Sequence, residues 1–338
     1  MKVREKKKPE KYLSIRDIAK LANVSTATVS RVLNKPETTS KATQEKVLKI
    51  VKQYEYVPNI SAKNVFGKTY NSIALFVYDI KNPFFNILIS KLNSICFVNN
   101  YTFLIFDTEN NVKNEKKYLD YCLANHVGGI IVTEGINYSL FSDTSILPPI
   151  VTLDRYLEKF SAVRSENIKA TKNAVNYLCN LNHKRIAFVG CSNKFDSTEE
   201  RKEGYLEALE EKGLKINNSY IYEKFPNLDL ENGKNALKHF ITLDEVPTAI
   251  ICSNDMIALG IINAANMINI KIPEDISVIG FDDILGSFHY PGITTIHQDI
   301  EAIADNLFTL LTNPSKEKKH VVIKTKLIQG YTTCRSKE

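Results

Sequence analysis

A chain of 338 residues is about twice the length of an ordinary domain, so two or more packed units with a sizeable core are expected. Its composition, 43% hydrophobic and 24% charged, is that of a soluble globular protein, and no apolar run reaches the roughly 18 residues that a membrane span needs. The net charge of +6 is unevenly spread: residues 1–68 hold 16 Lys and Arg against 6 Asp and Glu, and the rest holds 28 against 32.

A small basic head on a mildly acidic body points to a polyanionic partner for the head. Residues 1–11 by themselves read as a solvated basic arm. Met1–Lys8 is charged but leads into no apolar segment, so no secretory signal is expected and the cytoplasm is the expected compartment. Ser14 can cap a first helix, with Asp17 closing a capping box. Ile15, Ile18, Ala19 and Ala22 then form one apolar face. Asn23, Val24 and Ser25 interrupt it, and Ser25 can cap a second helix packed through Val29, Val32 and Leu33. Asn34, Lys35 and Pro36 stop that helix. A third carries Val47, Ile50, Val51 and Tyr54 on one face. Three short helices with a tight turn between the first two describe a helix-turn-helix module. The exposed face of the second helix would be Thr26, Ala27, Ser30 and Arg31, small groups beside one long cation. Such a face fits a major groove, where an arginine can donate two hydrogen bonds to guanine O6 and N7.

The stretch Ile15–Asn34 (IRDIAKLANVSTATVSRVLN) resembles the N-terminal headpiece of the lactose/purine repressor family of bacterial transcription factors. The resemblance implies base reading by Thr26, Ala27 and Arg31, and phosphate contacts by Ser25, Thr28 and Asn34. Pro58 ends the third helix and Asn59 can cap a further one, but Ile60–Phe66 is too short to be a stable helix alone. By the same resemblance this segment is a hinge helix that forms on DNA, where two copies from a dimer enter the minor groove. The family pattern there is Ala-Arg-Ser-Leu. This chain has Ala62, Lys63, Asn64 and Val65, so the apolar wedge would be Val65, one methylene shorter than leucine. The expected division is a basic arm 1–11, a headpiece 12–57, a hinge 58–69 and a body 70–338.

In the body, strand-like segments alternate with helical patterns. The strand candidates are Ile73–Tyr78, Tyr101–Phe106, Gly129–Val132, Ile150–Leu153, Arg185–Val189, Thr248–Cys252 and Ser277–Phe281. Helical patterns include Phe84–Phe97, Glu115–Leu123, Ala170–Leu181, Thr198–Glu211 and Asp255–Met267. Such alternation means an α/β body with parallel sheets, and its length calls for two lobes. Polar groups follow the strands: Asp79, Asp107, Thr133 with Glu134, Asp154 with Arg155, Ser253–Asp255, and Asp282 with Asp283. Ligands of open α/β sheets bind beyond those strand ends. Carboxylates, an amide and arginines gathered there suit a polyhydroxylated neutral ligand, and Phe84 and Phe85 can stack on a sugar face.

The resemblance continues through Ile130–Val132, Asn182–Gly190, Ser253–Gly260, Ile272–Asp283 and Thr294–Gln298. It implies two Rossmann-like lobes of the periplasmic-binding-protein type, lobe 1 about 70–163 and 296–325, lobe 2 about 164–295 and 326–338. It places Arg201, Asn254 and Asp282 at the main effector positions, with Phe84, Phe85, Asp154 and Gln298 lining the cleft. Asp79 and Arg155 complete the expected set. Leu153–Arg155 is similar to members that sense sucrose or ribose. Where many members have Asp-Asn and then Gly, the chain has Glu166-Asn167 and Ala170; it departs again at Leu327–Gly330, and no leucine heptads follow Thr332.

No nucleophile elbow, dinucleotide fingerprint, metalloprotease helix or phosphate loop occurs; Ala62 stands where a loop ending in Gly67, Lys68 and Thr69 needs its first glycine. The histidines show no metal-ligand spacing, and the six cysteines form no CxxC pair. Neither an enzyme nor a cofactor is expected. The expected function is a homodimeric repressor of a carbohydrate-utilisation operon, bound to palindromic double-stranded operator DNA and released by a small sugar, with no membrane partner. A regulator activated by a purine or a phosphoprotein, or a sugar-binding module without operator specificity, are the alternatives.

Overall fold

The computed structural model describes residues 13–56, 71–142, 146–193, 195–284 and 292–337. The chain divides into two compact units, Met1–Tyr70 and Asn71–Glu338.

In the first unit, α1 (Ile15–Leu21), α2 (Thr26–Asn34) and α3 (Lys41–Gln53) start at serine caps: Ser14, Ser25 and Ser40. The Ser14 capping box is complete, with its backbone N–H donating to Asp17 at 2.9 Å. Asn23 makes the turn between α1 and α2 at φ 49°, a conformation that asparagine tolerates. Ile18, Ala19, Ala22, Val29, Val32, Val47 and Tyr56 close a small core. Tyr54 stays at the rim, and Tyr56 fills the buried place instead.

The second unit has two six-stranded sheets. In lobe 1, β1 (Ser72–Val77), β2 (Thr102–Asp107), β3 (Gly129–Thr133), β4 (Ile150–Leu153), β5 (Ser161–Ser165) and β11 (His320–Ile323) run in the order 11-5-4-3-1-2. All five pairings are parallel. Helices α4 (Pro83–Val98), α5 (Val112–Ala124) and α10 (Ile300–Thr312) belong to this lobe. In lobe 2, β6 (Ile186–Val189), β7 (Ile221–Tyr222), β8 (Ala249–Cys252), β9 (Ser277–Asp282), β10 (Thr294–Gln298) and β12 (Thr325–Ile328) run 12-10-9-8-6-7. Only the edge strand β12 is antiparallel. Helices α6 (Asn167–Asn180), α7 (Asp196–Glu211), α8 (Leu230–Phe240) and α9 (Asp255–Met267) cover this sheet. The central strands are buried along almost their whole length, as expected where helices cover both faces of a parallel sheet.

The chain crosses between the sheets three times, after β5, β10 and β11. The lobe boundaries lie one to three residues from those expected. Arg164 and Ser165 end β5 in the first sheet, and Ile296–Gln298 and Thr325 pair in the second. A strand stays whole in its ladder, so each crossing waits for the strand to end.

The helix pairs of lobe 2 meet through glycine. A Cβ on Gly233 of α8 would stand 2.1 Å from the Ile257 carbonyl oxygen of α9, and one on Gly260 of α9 would stand 2.2 Å from that of Leu230. Backbone cannot rotate aside as a side chain does. Gly233→Ala is therefore expected to lower the melting temperature, by overpacking that costs about 1–3 kcal/mol, although alanine favours the helix by about 1 kcal/mol. An unchanged melting temperature would show that the two helices separate freely.

Candidate functional site

On the headpiece, Ser25 caps α2, its hydroxyl accepting from the Thr28 amide at 3.1 Å. This fixes the start of the helix that presents Thr26, Ala27 and Arg31 to solvent. Val29 and Val32, on the opposite side, are in the core. Thr28 is partly buried, and the exposed Asn34 donates to the Ser30 hydroxyl at 3.3 Å. Among the described residues Arg31 is in no ion pair, so its guanidinium is available to a ligand. Asn59, Ala62, Lys63 and Val65 lie outside the described residues.

In the body, a cavity lies between the two lobes. Of the expected residues, Phe84, Phe85, Asp154, Arg201, Asn254, Asp282 and Gln298 line it. All but Arg201 are carried at or next to an element's end. Asp282 ends β9, Gln298 ends β10, and Asp154 follows β4. Asn254 caps α9, its side-chain oxygen accepting from the Ile257 amide at 2.9 Å. Arg201 projects from α7, its Nε donating to Asn167 Oδ1 at 2.9 Å and its Nη1 to the Ser253 carbonyl. The guanidinium lies 3.6 Å from the Phe281 ring centroid and 3.8 Å from Asp282 Oδ1. Gln298 donates to Asp282 at 2.7 Å and accepts from the Ser165 hydroxyl. Tyr78, Phe84 and Phe85 form an aromatic wall, the Tyr78 and Phe85 rings meeting edge-on at 5.2 Å. The cavity left between these walls is narrow, about 20 Å³.

Two expected residues stand apart from this cavity. Asp79 is in the wider opening outside it and accepts from the Lys81 amide at 2.9 Å. Arg155 bridges the lobes, 3.1 Å from Asp196 and 5.1 Å from the Tyr138 ring centroid. The structure also adds a residue that sequence patterning marked only as a strand-end carboxylate. Glu134 of lobe 1 lines the cavity and reaches Ser197 of lobe 2, accepting from its hydroxyl at 2.6 Å and its amide at 3.0 Å. The N-cap of α7 is Phe195, which has no side-chain acceptor, so a carboxylate from the opposite lobe caps this helix.

Residues 14–59 match the profile of bacterial regulatory proteins, lacI family, and residues 175–333 that of a periplasmic binding protein-like domain. The HTH-type transcriptional repressor PurR of Histophilus somni is 33% identical over 322 residues, covering 92% of this chain and 95% of its own. The chain belongs to the lacI family of bacterial regulatory proteins. CytR of Escherichia coli, another HTH-type transcriptional repressor, is 33% identical and covers 90% of both chains. The fold is also that of the lac repressor dimer bound to operator and the anti-inducer ONPF (TM-score 0.80, 23% identity, 96% of this chain and 100% of that one). A LacI family regulator from Enterococcus faecium with bound ribose superposes at a TM-score of 0.69, with 24% identity over 79% of this chain and 100% of its own. This lacI-family chain is a DNA-binding transcriptional repressor, not an enzyme. No helix among the described residues is long and apolar enough to cross a membrane.

Burial in this lacI-family cleft shifts its acids. It pushes the Asp154 carboxyl up to about 6, against the pull of Arg201. It pushes Asp282 to about 7, again opposed by Arg201 and by the Gln298 hydrogen bond. Glu134 rises to about 8 through burial and the nearby Asp154 charge, opposed by Ser197. Unfolded, such groups titrate near 4. The folded state therefore holds extra protons between roughly pH 4 and 8. The stability this supplies is complete below that window and is lost as pH rises through the folded values. The melting temperature of the ligand-free protein is expected to fall between about pH 5.5 and 8.5, and Glu134→Gln to flatten the upper part of the profile. A melting temperature that climbs over this interval contradicts the burial of these acids.

Proposed function

We propose that the protein represses a carbohydrate-utilisation operon as a homodimer on a palindromic operator, in the cytoplasm, and that a small sugar bound between its lobes releases it. Thr26, Ala27 and Arg31 read bases in the major groove. Ser25, Thr28 and Asn34 hold phosphates, and Asn59, Ala62, Lys63 and Val65 contribute from the minor groove. The observation that carries the sugar reading is the cavity itself. Asp154, Asp282, Gln298 and Arg201 offer acceptors and donors for several hydroxyls at once, beside an aromatic wall. Solved relatives of the same fold hold ribose and cellobiose.

A sugar touching both lobes changes their relative angle. Lobe 1 begins at β1, which follows segment 58–69 directly in the chain, so the movement is passed to the hinge by covalent connection. The coupling expected is about 1–3 kcal/mol and is reciprocal, so a sugar that weakens operator binding is itself held more weakly on DNA.

The test is a thermal-shift screen against sugars and purines, followed by titration of operator affinity with whichever ligand acts. A ligand at 100 times its dissociation constant adds about 2.7 kcal/mol to the folded state, a shift easily read. A sugar that raises the melting temperature and lowers operator affinity is the expected outcome. A second reading, a flat nucleobase that strengthens operator binding, is favoured by the same aromatic wall of Tyr78, Phe84 and Phe85. It replaces the first if only purines act and operator affinity rises.

A further inference from the structure

The cleft holds more acidic than basic side chains, and the excess of negative charge is greatest in its outer part. Inside, Glu134, Asp154 and Asp282 are at most 8% exposed and share one cation, Arg201. That guanidinium is already engaged by Asn167, the Ser253 carbonyl and the face of Phe281. Tyr78, Asn82 and Leu228 also line a second, wider opening next to the cavity, a vestibule through which a ligand would approach. Its charged lining among the described residues is Asp79, Asp107, Glu109 and Asp229 against Lys81. A low-dielectric cleft of one sign concentrates ligands of the opposite sign and repels its own.

We propose that the cleft selects its effector by charge: it admits uncharged ligands, favours those bearing an amine, and rejects the phosphorylated or carboxylated forms of the same molecule. This rests on the reading of the cleft as the effector site. A phosphate entering through the vestibule passes four carboxylates and one lysine, Lys81, and arrives at a cavity whose single cation, Arg201, is already engaged by Asn167, the Ser253 carbonyl and Phe281. Like charges placed together in this way cost enough to weaken binding by roughly 100-fold. A hydroxyl meets no such barrier, because each carboxylate accepts from it, and an ammonium gains an ion pair.

The test uses the full-length protein and matched ligand sets: glucose, glucosamine and glucose 6-phosphate; ribose and ribose 5-phosphate; adenosine and its 5′-monophosphate. Binding is read by thermal shift and calorimetry. In whichever set binds, the uncharged or amino member is expected to bind roughly 100-fold more tightly than the phosphorylated one. The vestibule pair Asp107→Asn with Glu109→Gln, outside the cavity lining, is expected to narrow that ratio several-fold with the uncharged member's affinity unchanged. A phosphorylated member that binds within tenfold of its uncharged partner overturns the charge rule and leaves the effector reading standing. Binding by no member of any set rejects the effector reading itself, and the charge rule falls with it.

Discussion

Replacing Arg31 by alanine is expected to remove the preference for operator while leaving the salt-sensitive attraction to any DNA in place. Arg31 is exposed in the last turn of α2 and makes no ion pair among the described residues, so its truncation leaves the headpiece core intact. A bidentate contact to one guanine is worth about 1–3 kcal/mol of discrimination, or roughly 5- to 150-fold. The sequence-independent attraction comes from the summed charge of the head, 16 basic against 6 acidic side chains over residues 1–68, and losing one of the sixteen changes it little. Anisotropy titrations with operator and with a scrambled duplex, each at several salt concentrations, separate the two effects. Equal weakening on both duplexes, with the salt slope reduced by about one, assigns Arg31 to a phosphate instead.

Asp282→Ala is expected to abolish the response to effector while operator affinity stays as it was. Asp282 sits at φ 108°, a strained backbone conformation for any residue but glycine, and it is held there by Gln298 at 2.7 Å beside Arg201. Strain kept at the floor of a ligand cavity fixes an acceptor in place before the ligand arrives. Each hydrogen bond to a charged group contributes about 1.5–3 kcal/mol, so loss of two hydroxyl contacts weakens effector binding by roughly 100-fold or more. The headpiece has its own core, which this change does not touch. Because alanine tolerates φ 108° poorly, Asp282→Asn serves as the control, since asparagine accepts positive φ more readily. Operator release measured against effector concentration gives the answer. Release at the wild-type concentration in both variants rejects Asp282 as an effector contact.

The headpiece was almost fully legible in the sequence because its signals are local. Ser14 and Ser25 announce their helices within three residues, and the apolar faces repeat at helical spacing. Strands β1 to β4, β6, β8 and β9 were legible as short apolar runs. Strands β5, β7, β10, β11 and β12 were not. Strand β5 has serine at both ends and an arginine, β7 has only two residues, β10 sets one isoleucine among Thr294, Thr295, His297 and Gln298, and β11 and β12 lie at sheet edges. Such strands exist through pairing with partners distant in the chain, which a local pattern does not carry. The cavity follows the same division. Asp154, Asn254 and Asp282 follow or end strands and could be marked by position. Ser165, Asn167 and Ser197 are single polar residues without a motif, and only the fold brings them to Gln298, Arg201 and Glu134.

The three crossings between the sheets also govern how the molecule can be made. Lobe 1 is begun at β1, yet its edge strand β11, His320–Ile323, leaves the ribosome only after β6 to β10 of the other lobe. While those strands are made β5 waits with an open edge, and β10 waits in the same way for β12. Contacts between segments so far apart in sequence form slowly, and exposed strand edges invite pairing with other chains. A chain ending at Asn313 would keep every lining residue of the cleft and lose a strand from both sheets at once. The residues beyond Asn313 line no part of the cavity, yet each sheet is completed only by one of their strands.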